Sequence, residues 1–258
     1  MKQKKPLYFR VLCAVTLAVV GVMLLYMLLT FFTHGDSSLS GTYNTAWLTA
    51  NMTVDGGCFS ETAPKGSLDA IRAAAELSYN VKLRACLKED TLFLDYENGD
   101  TLANALAVTE ENRAGVIVQL ADEKAAEAFL TLLRTLDYQN GNVAVQSSDV
   151  ACLAYFKENC PNMLRGLVTG ALTDTSLNGF EKFLHRNLFR NFRCRPHYVV
   201  YDEAHLPCLA ASAMRRQNVL VLAEVEKLPS DVSSLLSLEE ETDGLIYNLP
   251  EELLSGAK

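Results

Sequence analysis

Residues 115–136 read GVIVQLADEKAAEAFLTLLRTL. The first six are apolar apart from Gln119 and show no polar/apolar alternation, which is the signature of a strand buried on both faces. From residue 123 the period changes. Phe129, Leu132, Leu133 and Leu136 recur at helical spacing and make one apolar stripe. A doubly buried strand followed by an amphipathic helix is one unit of a parallel sheet covered by helices.

The same alternation runs outward in both directions. Towards the N-terminus, residues 101–108 predict a short helix, 91–95 and 81–86 predict strands, 67–77 predict a helix with Ser67 as N-cap, and 50–54 predict the first strand. Towards the C-terminus, strands are expected at 142–145, 164–168, 198–201, 219–225 and 244–247. Helices are expected at 150–158, 177–189, 206–215, 231–238 and 250–254. About eight β units, each followed by a helix, fit a (β/α)8 TIM barrel over residues 50–258. An open doubly wound sheet is the competing arrangement, but no GxGxxG follows the first strand, so dinucleotide binding has no support.

The 258 residues are 49% hydrophobic and 21% charged, an ordinary globular balance. The formal net charge is −8, yet Lys2, Lys4, Lys5 and Arg10 precede any acid, the first of which is Asp36. The remaining acidic domain repels nucleic acid phosphates, so DNA and RNA are excluded as partners. Residues 11–32, VLCAVTLAVVGVMLLYMLLTFF, carry no charge. At 1.5 Å per residue they cover the roughly 30 Å hydrocarbon core of a bilayer. A cleaved signal peptide would have a shorter apolar region and a small-x-small site, where this chain has Phe31, Phe32, Thr33 and His34. The expected organisation is a basic cytoplasmic tail at 1–10, a transmembrane signal-anchor at 11–32, a linker at 33–49 with polar GDSSLSG at 35–41, and the barrel at 50–258. The positive-inside tendency puts the barrel outside the cytoplasm, single-pass in the cell membrane, with the lipid bilayer as partner of residues 11–32.

Residues 54–96 read VDGGCFSETAPKGSLDAIRAAAELSYNVKLRACLKEDTLFLDY, and residues 243–254 read DGLIYNLPEELL. Their order and spacing resemble the glycerophosphodiester phosphodiesterase family. There the first strand ends in His-Arg-Gly, followed by a Glu and a Pro-Glu-Asn-Thr motif. A second strand then reads Glu-Leu-Asp-Val, and a Lys-Asp-Gly turn leads to a strand ending in His-Asp. Glu61, Pro64 and Ser67 resemble the Glu, Pro and Thr, and Lys88–Asp90 resembles the turn. VLVLAEV at 219–225 resembles the seventh strand. The resemblance implies a TIM barrel, two catalytic histidines acting as general acid and base, and a divalent cation held by carboxylates.

The departures fall on that chemistry. Asp55 and Asp95 stand where the two histidines belong, and Gly56 replaces the arginine beside the first. Lys82 and Arg84 replace the metal-binding Glu and Asp, and Ile117 and Gln119 replace a Glu-x-Lys on the third strand. Lysine and arginine cannot ligate a hard cation, so the family's metal ligands are lost and no cofactor is expected. Residues 82 and 84 share one face of a strand, so both can point into the mouth. They are expected to replace the metal's positive charge and pair with Asp55 and Asp95. Such a network makes either a structural plug or a pocket for a phosphate or phosphodiester, with Glu61, Lys82, Arg84 and Gln119 as lining candidates. The expected function is a catalytically silent, membrane-anchored barrel with a binding or scaffolding role. The alternative is an active phosphoric diester hydrolase in lipid metabolism, built on Asp55, Glu61 and Asp95. An unrelated barrel would not gather residues 55, 82, 84 and 95 around one mouth.

Smaller signals remain open. HRNLFRNFRCRP at 185–196 is a basic and aromatic cluster, readable as a lipid-headgroup contact or as a solvated helix face. Tyr43 and Trp47 can rest at the membrane interface or cover the base of the barrel. Asn51–Met52–Thr53 matches a glycosylation sequon, and Glu239–Glu241 reads as a solvated run. Cys58, Cys86, Cys152, Cys160, Cys194 and Cys208 have no zinc spacing and read as scattered core residues.

Overall fold

The apolar runs of the sequence become strands that close into a ring. The computed structural model describes residues 7–36, 44–97, 99–138, 140–169, 178–226 and 232–248. The order begins α1 Leu7–Thr33, α2 Ala46–Ala50, β1 Thr53–Asp55, α3 Leu68–Glu76, β2 Asn80–Lys88, β3 Thr91–Leu94, α4 Leu102–Glu111, β4 Val116–Leu120 and α5 Glu123–Leu136. It continues β5 Val143–Ser147, α6 Val150–Asn159, β6 Leu164–Val168, α7 Gly179–Arg186, α8 Asn191–Cys194, β7 Tyr198–Asp202, α9 Leu209–Arg216, β8 Leu220–Val225, α10 Val232–Glu241 and β9 Gly244–Tyr247.

All of these strands except β3 run parallel, in the order β1-β9-β8-β7-β6-β5-β4-β2. β1 also pairs with β2, Thr53 opposite Asn80 and Asp55 opposite Lys82, which closes an eight-stranded barrel and rules out the open sheet. β3 folds back antiparallel on the outer end of β2. Helix starts follow local chemistry: Ser67, Thr101, Asp122 and Asp149 each accept a hydrogen bond from an otherwise unpaired N–H of the first turn.

Two expectations need correction. The first strand starts at residue 53, and residue 50 instead ends α2. That short helix exists because Trp47 and Leu48 bury against Ile117, Ala144, Leu164, Tyr198 and Ile246 inside the barrel. Trp47 therefore covers the base. Gly115 makes room for it, since a Cβ there would lie 2.4 Å from the Trp47 ring. The long helix expected over 177–189 is broken: α7 ends at Arg186, and Leu188 turns back at φ +62° to bury its side chain. The tail at 1–6, most of the linker including Tyr43, and the expected helix at 250–254 lie outside the described residues.

Between strands and helices lies the larger core, with Ile71, Leu106, Phe129, Phe156 and Met214 packed on outward-facing valines. None of the seven cysteines is in a disulfide. Among the described residues one helix, Val11–Thr33, is long and apolar enough to cross a membrane, and its apolar side chains are exposed.

Candidate functional site

Parallel strands carry their side chains to one carboxyl-end mouth, where the alternation of each strand decides what points inward. β1 ends on Asp55, β2 contributes Lys82 and Arg84, and β8 contributes Glu224. Asn248 follows β9. Asp55 is 1% exposed and is the centre of the cluster. Its carboxylate takes a 2.6 Å ion pair from Lys65, a 3.5 Å pair from Arg84 and a 3.9 Å pair from Lys82. The Tyr96 hydroxyl donates a further hydrogen bond at 2.8 Å. Lys82 is also paired with Glu224, and Lys65 donates to Asn248 Oδ1 at 2.5 Å. The Arg84 guanidinium lies over the Tyr96 ring, 4.9 Å from its centroid.

The sequence places these groups by local devices. Gly66 adopts φ +78° and its missing Cβ leaves space for the Tyr96 ring, which would otherwise lie 2.2 Å away. Tyr96 then reaches over β2 to Asp55, and the backbone N–H of Arg84 donates to its hydroxyl at 3.2 Å. Burial raises the Asp55 carboxyl, but the charges of Lys82, Lys65 and Arg84 more than offset it and hold the group below the usual carboxylate range. Burial lowers the Lys65 ammonium; Asp55 opposes this, while Arg84 and Lys82 add to it. The Tyr96 phenol is raised by burial and by Asp55. Burial lowers the Arg84 guanidinium, but Asp55, Tyr96 and Glu224 together more than offset it and hold the group above its ordinary value.

Lys65, Lys82 and Arg84 thus face Asp55 and Glu224, three cations against two carboxylates. Arg84 is the exposed member, with 39% of its side chain open to solvent.

The other sequence candidates lie elsewhere. Asp95 does not pair with Lys82 or Arg84. It follows the antiparallel strand that sits outside the ring, its side chain is exposed, and its backbone N–H donates to Arg84 O at 2.8 Å. The next residue, Tyr96, turns inward in its place. Glu61 is exposed on the loop after β1 and, among the described residues, makes no ion pair. Gln119 does face the mouth but accepts from Gln146 Nε2 at 3.0 Å, and Ile117 belongs to the layer over Trp47. Lys65, Tyr96, Glu224 and Asn248 escaped the sequence reading. A signal for Lys65 was present: it follows Pro64, where the Pro-Glu-Asn-Thr motif has its Glu, so it repeats the acid-to-base change seen at 82 and 84. Glu224 is the one charge within LVLAEV.

The fold family implies a divalent cation at this mouth, and the residues present do not fit one. A hard cation needs several free oxygen donors. Both carboxylates here are already claimed by ammonium groups, and three cations would repel a fourth. The histidines stand apart. His185 Nε2 meets Ser148 O at 2.7 Å, His205 lies 3.7 Å from Asp202, and His34 and His197 sit at the base.

Solved structures resemble this one over most of its length. A phosphodiesterase of Oleispira antarctica, solved with its product sn-glycerol-3-phosphate, superposes with a TM-score of 0.62 at 15% identity, covering 80% of this chain and 96% of that one. This chain shares the barrel fold of solved glycerophosphodiester phosphodiesterases. Enzymes so named from Parabacteroides distasonis and Thermotoga maritima give TM-scores of 0.58 and 0.55 at 15% and 16% identity, each covering 81% of this chain and 98% of the other. No family model matches the sequence, and no curated protein does.

Proposed function

We propose that the chain is a membrane-anchored, extracytoplasmic barrel of glycerophosphodiester phosphodiesterase type that binds a phosphate or phosphodiester anion without hydrolysing it, in a binding or scaffolding role. The observation that carries this reading is the enclosure of Asp55 by Lys65, Lys82 and Arg84. Hydrolysis needs a proton donor and acceptor at the scissile bond and a counter-charge for the phosphoryl oxygens. The mouth supplies the counter-charge from fixed side chains but holds Asp55 ionised, unable to donate a proton at neutral pH. Arg84, half-open and propped on Tyr96, offers the planar fork that pairs with phosphate oxygens. The helix at Val11–Thr33 and the basic residues before it support the anchored placement.

A hydrolase built on Asp55, Glu61 and Asp95 has less support, because Glu61 and Asp95 are exposed and lie outside the ion-pair cluster. The test is the full chain in lipid nanodiscs with a panel of glycerophosphodiesters, with and without Mg²⁺ or Ca²⁺, beside Asp55→Asn. The expected result is no turnover, with inorganic phosphate and glycerol phosphate binding measured by calorimetry. Turnover that needs the metal and vanishes in Asp55→Asn would overturn the silent reading.

A further inference from the structure

The base of the barrel holds the end of α1 through a second buried cluster that the mouth does not use. Arg165 is 1% exposed, and each of its five N–H groups meets an acceptor. Nε donates to Cys194 O at 3.2 Å, Nη1 to Pro161 O and Met163 O at 2.9 and 3.0 Å, and Nη2 to Arg195 O at 3.3 Å and to Asp36 at 2.8 Å. Asp36 lies just beyond the last turn of α1. Its backbone N–H donates to Pro196 O at 2.9 Å, Arg195 donates to His34 O at 3.1 Å, and Asn191 donates to Thr33 O at 3.2 Å. Phe192 packs on Phe31 and Phe32 with ring centroids 6.0 and 5.1 Å away. The Arg195 guanidinium covers Phe31 at 5.4 Å. The end of the apolar helix is therefore fixed against α8 rather than joined to it by a free tether.

A helix that crosses a bilayer brings its last turn to headgroup height, and α8 comes with it. Residues 182–201 carry Lys182, Arg186, Arg190, Arg193 and Arg195 and no acid, in a chain whose net charge is −8. Lys157 joins them by donating to Arg193 O at 3.0 Å. The nearby acids are Glu181, 3.7 Å from Arg190, the exposed Glu158, Asp202, which is joined through His205 to Arg186, and Asp36, which is taken by Arg165. Among the described residues no carboxylate pairs with Arg193 or Arg195. Cationic side chains interleaved with phenyl rings suit an interface of anionic headgroups over acyl chains.

We infer that the α8 face is seated on the outer surface of the bilayer that α1 crosses, with Arg193 and Arg195 binding anionic lipid headgroups and the Asp36–Arg165 pair holding the seat. The inference rests on the anchored reading proposed above. Its first arm asks whether the full chain stays in the membrane through alkaline extraction; release would overturn the anchor and the seat together. The second arm measures amide hydrogen exchange of residues 186–195 in nanodiscs of phosphatidylcholine alone and of an equimolar mixture with phosphatidylglycerol. Exchange should slow in the anionic discs, and Arg193→Glu should remove that protection, each unit of charge altering it by roughly fivefold. The Arg193 side chain is exposed, so the fold survives this change, as circular dichroism would confirm. Equal exchange in both lipids, or protection that follows protein concentration rather than lipid charge, would overturn the seat while leaving the anchor standing.

Discussion

At the base of the barrel one guanidinium is saturated: Arg165 meets one carboxylate and four carbonyls, and no donor is left over. At the mouth one carboxylate is contested: Asp55 draws three cations, and Arg84 remains partly in solvent. Both clusters are buried charge, and burial makes each expensive unless its partners are complete. The saturated one has nothing left to offer a ligand and acts as a fastener. The unbalanced one carries an excess of positive charge that a bound anion would neutralise.

The largest expected effect tests the fastener. Arg165→Met strands Asp36 and leaves four carbonyls without their donor, and should cost about 3 kcal/mol or more in chemical denaturation. A loss below about 1 kcal/mol would mean the base relaxes and water takes over. Next comes Asp55→Asn, which removes the common partner of Lys65, Lys82 and Arg84 and should cost about 2 kcal/mol. Millimolar phosphate should restore part of that loss in Asp55→Asn and none of it in Arg165→Met. Equal rescue of both, or of neither, would erase the distinction between the two clusters.

How far the sequence foretold each cluster differs for a physical reason. The barrel was legible because doubly buried strands such as GVIVQL announce themselves by composition, and the end of α5 falls where its apolar stripe ends. Asp55, Lys82 and Arg84 were legible because strand alternation puts residues on one face and the family's motif spacing fixes their register. Lys65, Tyr96 and Glu224 come from a loop, a hairpin end and a strand two places round the ring, and only closure brings them to Asp55. Asp95 was assigned to the mouth by the same spacing, but β3 leaves the ring and one residue of twist delivers Tyr96 instead. The Asp36–Arg165 pair joins positions 129 apart and had no local signal at all.

Acid separates the clusters by a smaller step. His197 is buried beside Arg165, and its Nδ1 accepts the Arg165 backbone N–H at 3.0 Å. Burial and the neighbouring guanidinium pull it from the ordinary 6.5 down to about 3. The folded chain therefore resists a proton that the unfolded chain takes up, and stability falls as pH drops below 6.5, by about 1.4 kcal/mol per unit. Asp55 is depressed in the carboxylate sense, so its contribution is intact above pH 3.8 and is lost only as pH falls further, through its folded value. Denaturation from pH 7 to 5 should weaken the wild type while the slope flattens in His197→Gln and stays unchanged in Asp55→Asn. A slope that followed Asp55 instead would place the acid-sensitive charge at the mouth.

The smallest change in stability should accompany the largest change in binding. Arg84 has 39% of its side chain in solvent, so its attraction to Asp55 is screened, and Lys65 and Lys82 remain to hold that carboxylate. Arg84→Ala should therefore shift unfolding by less than about 1 kcal/mol. Yet it removes the one fork open to an anion, and calorimetry should find phosphate affinity reduced by about tenfold or more. Arg84→Lys keeps the charge but not the planar geometry and should recover only part of that affinity. If Arg84→Ala instead unfolds the barrel and leaves phosphate binding untouched, the guanidinium is one more structural partner of Asp55, and the mouth is as saturated as the base.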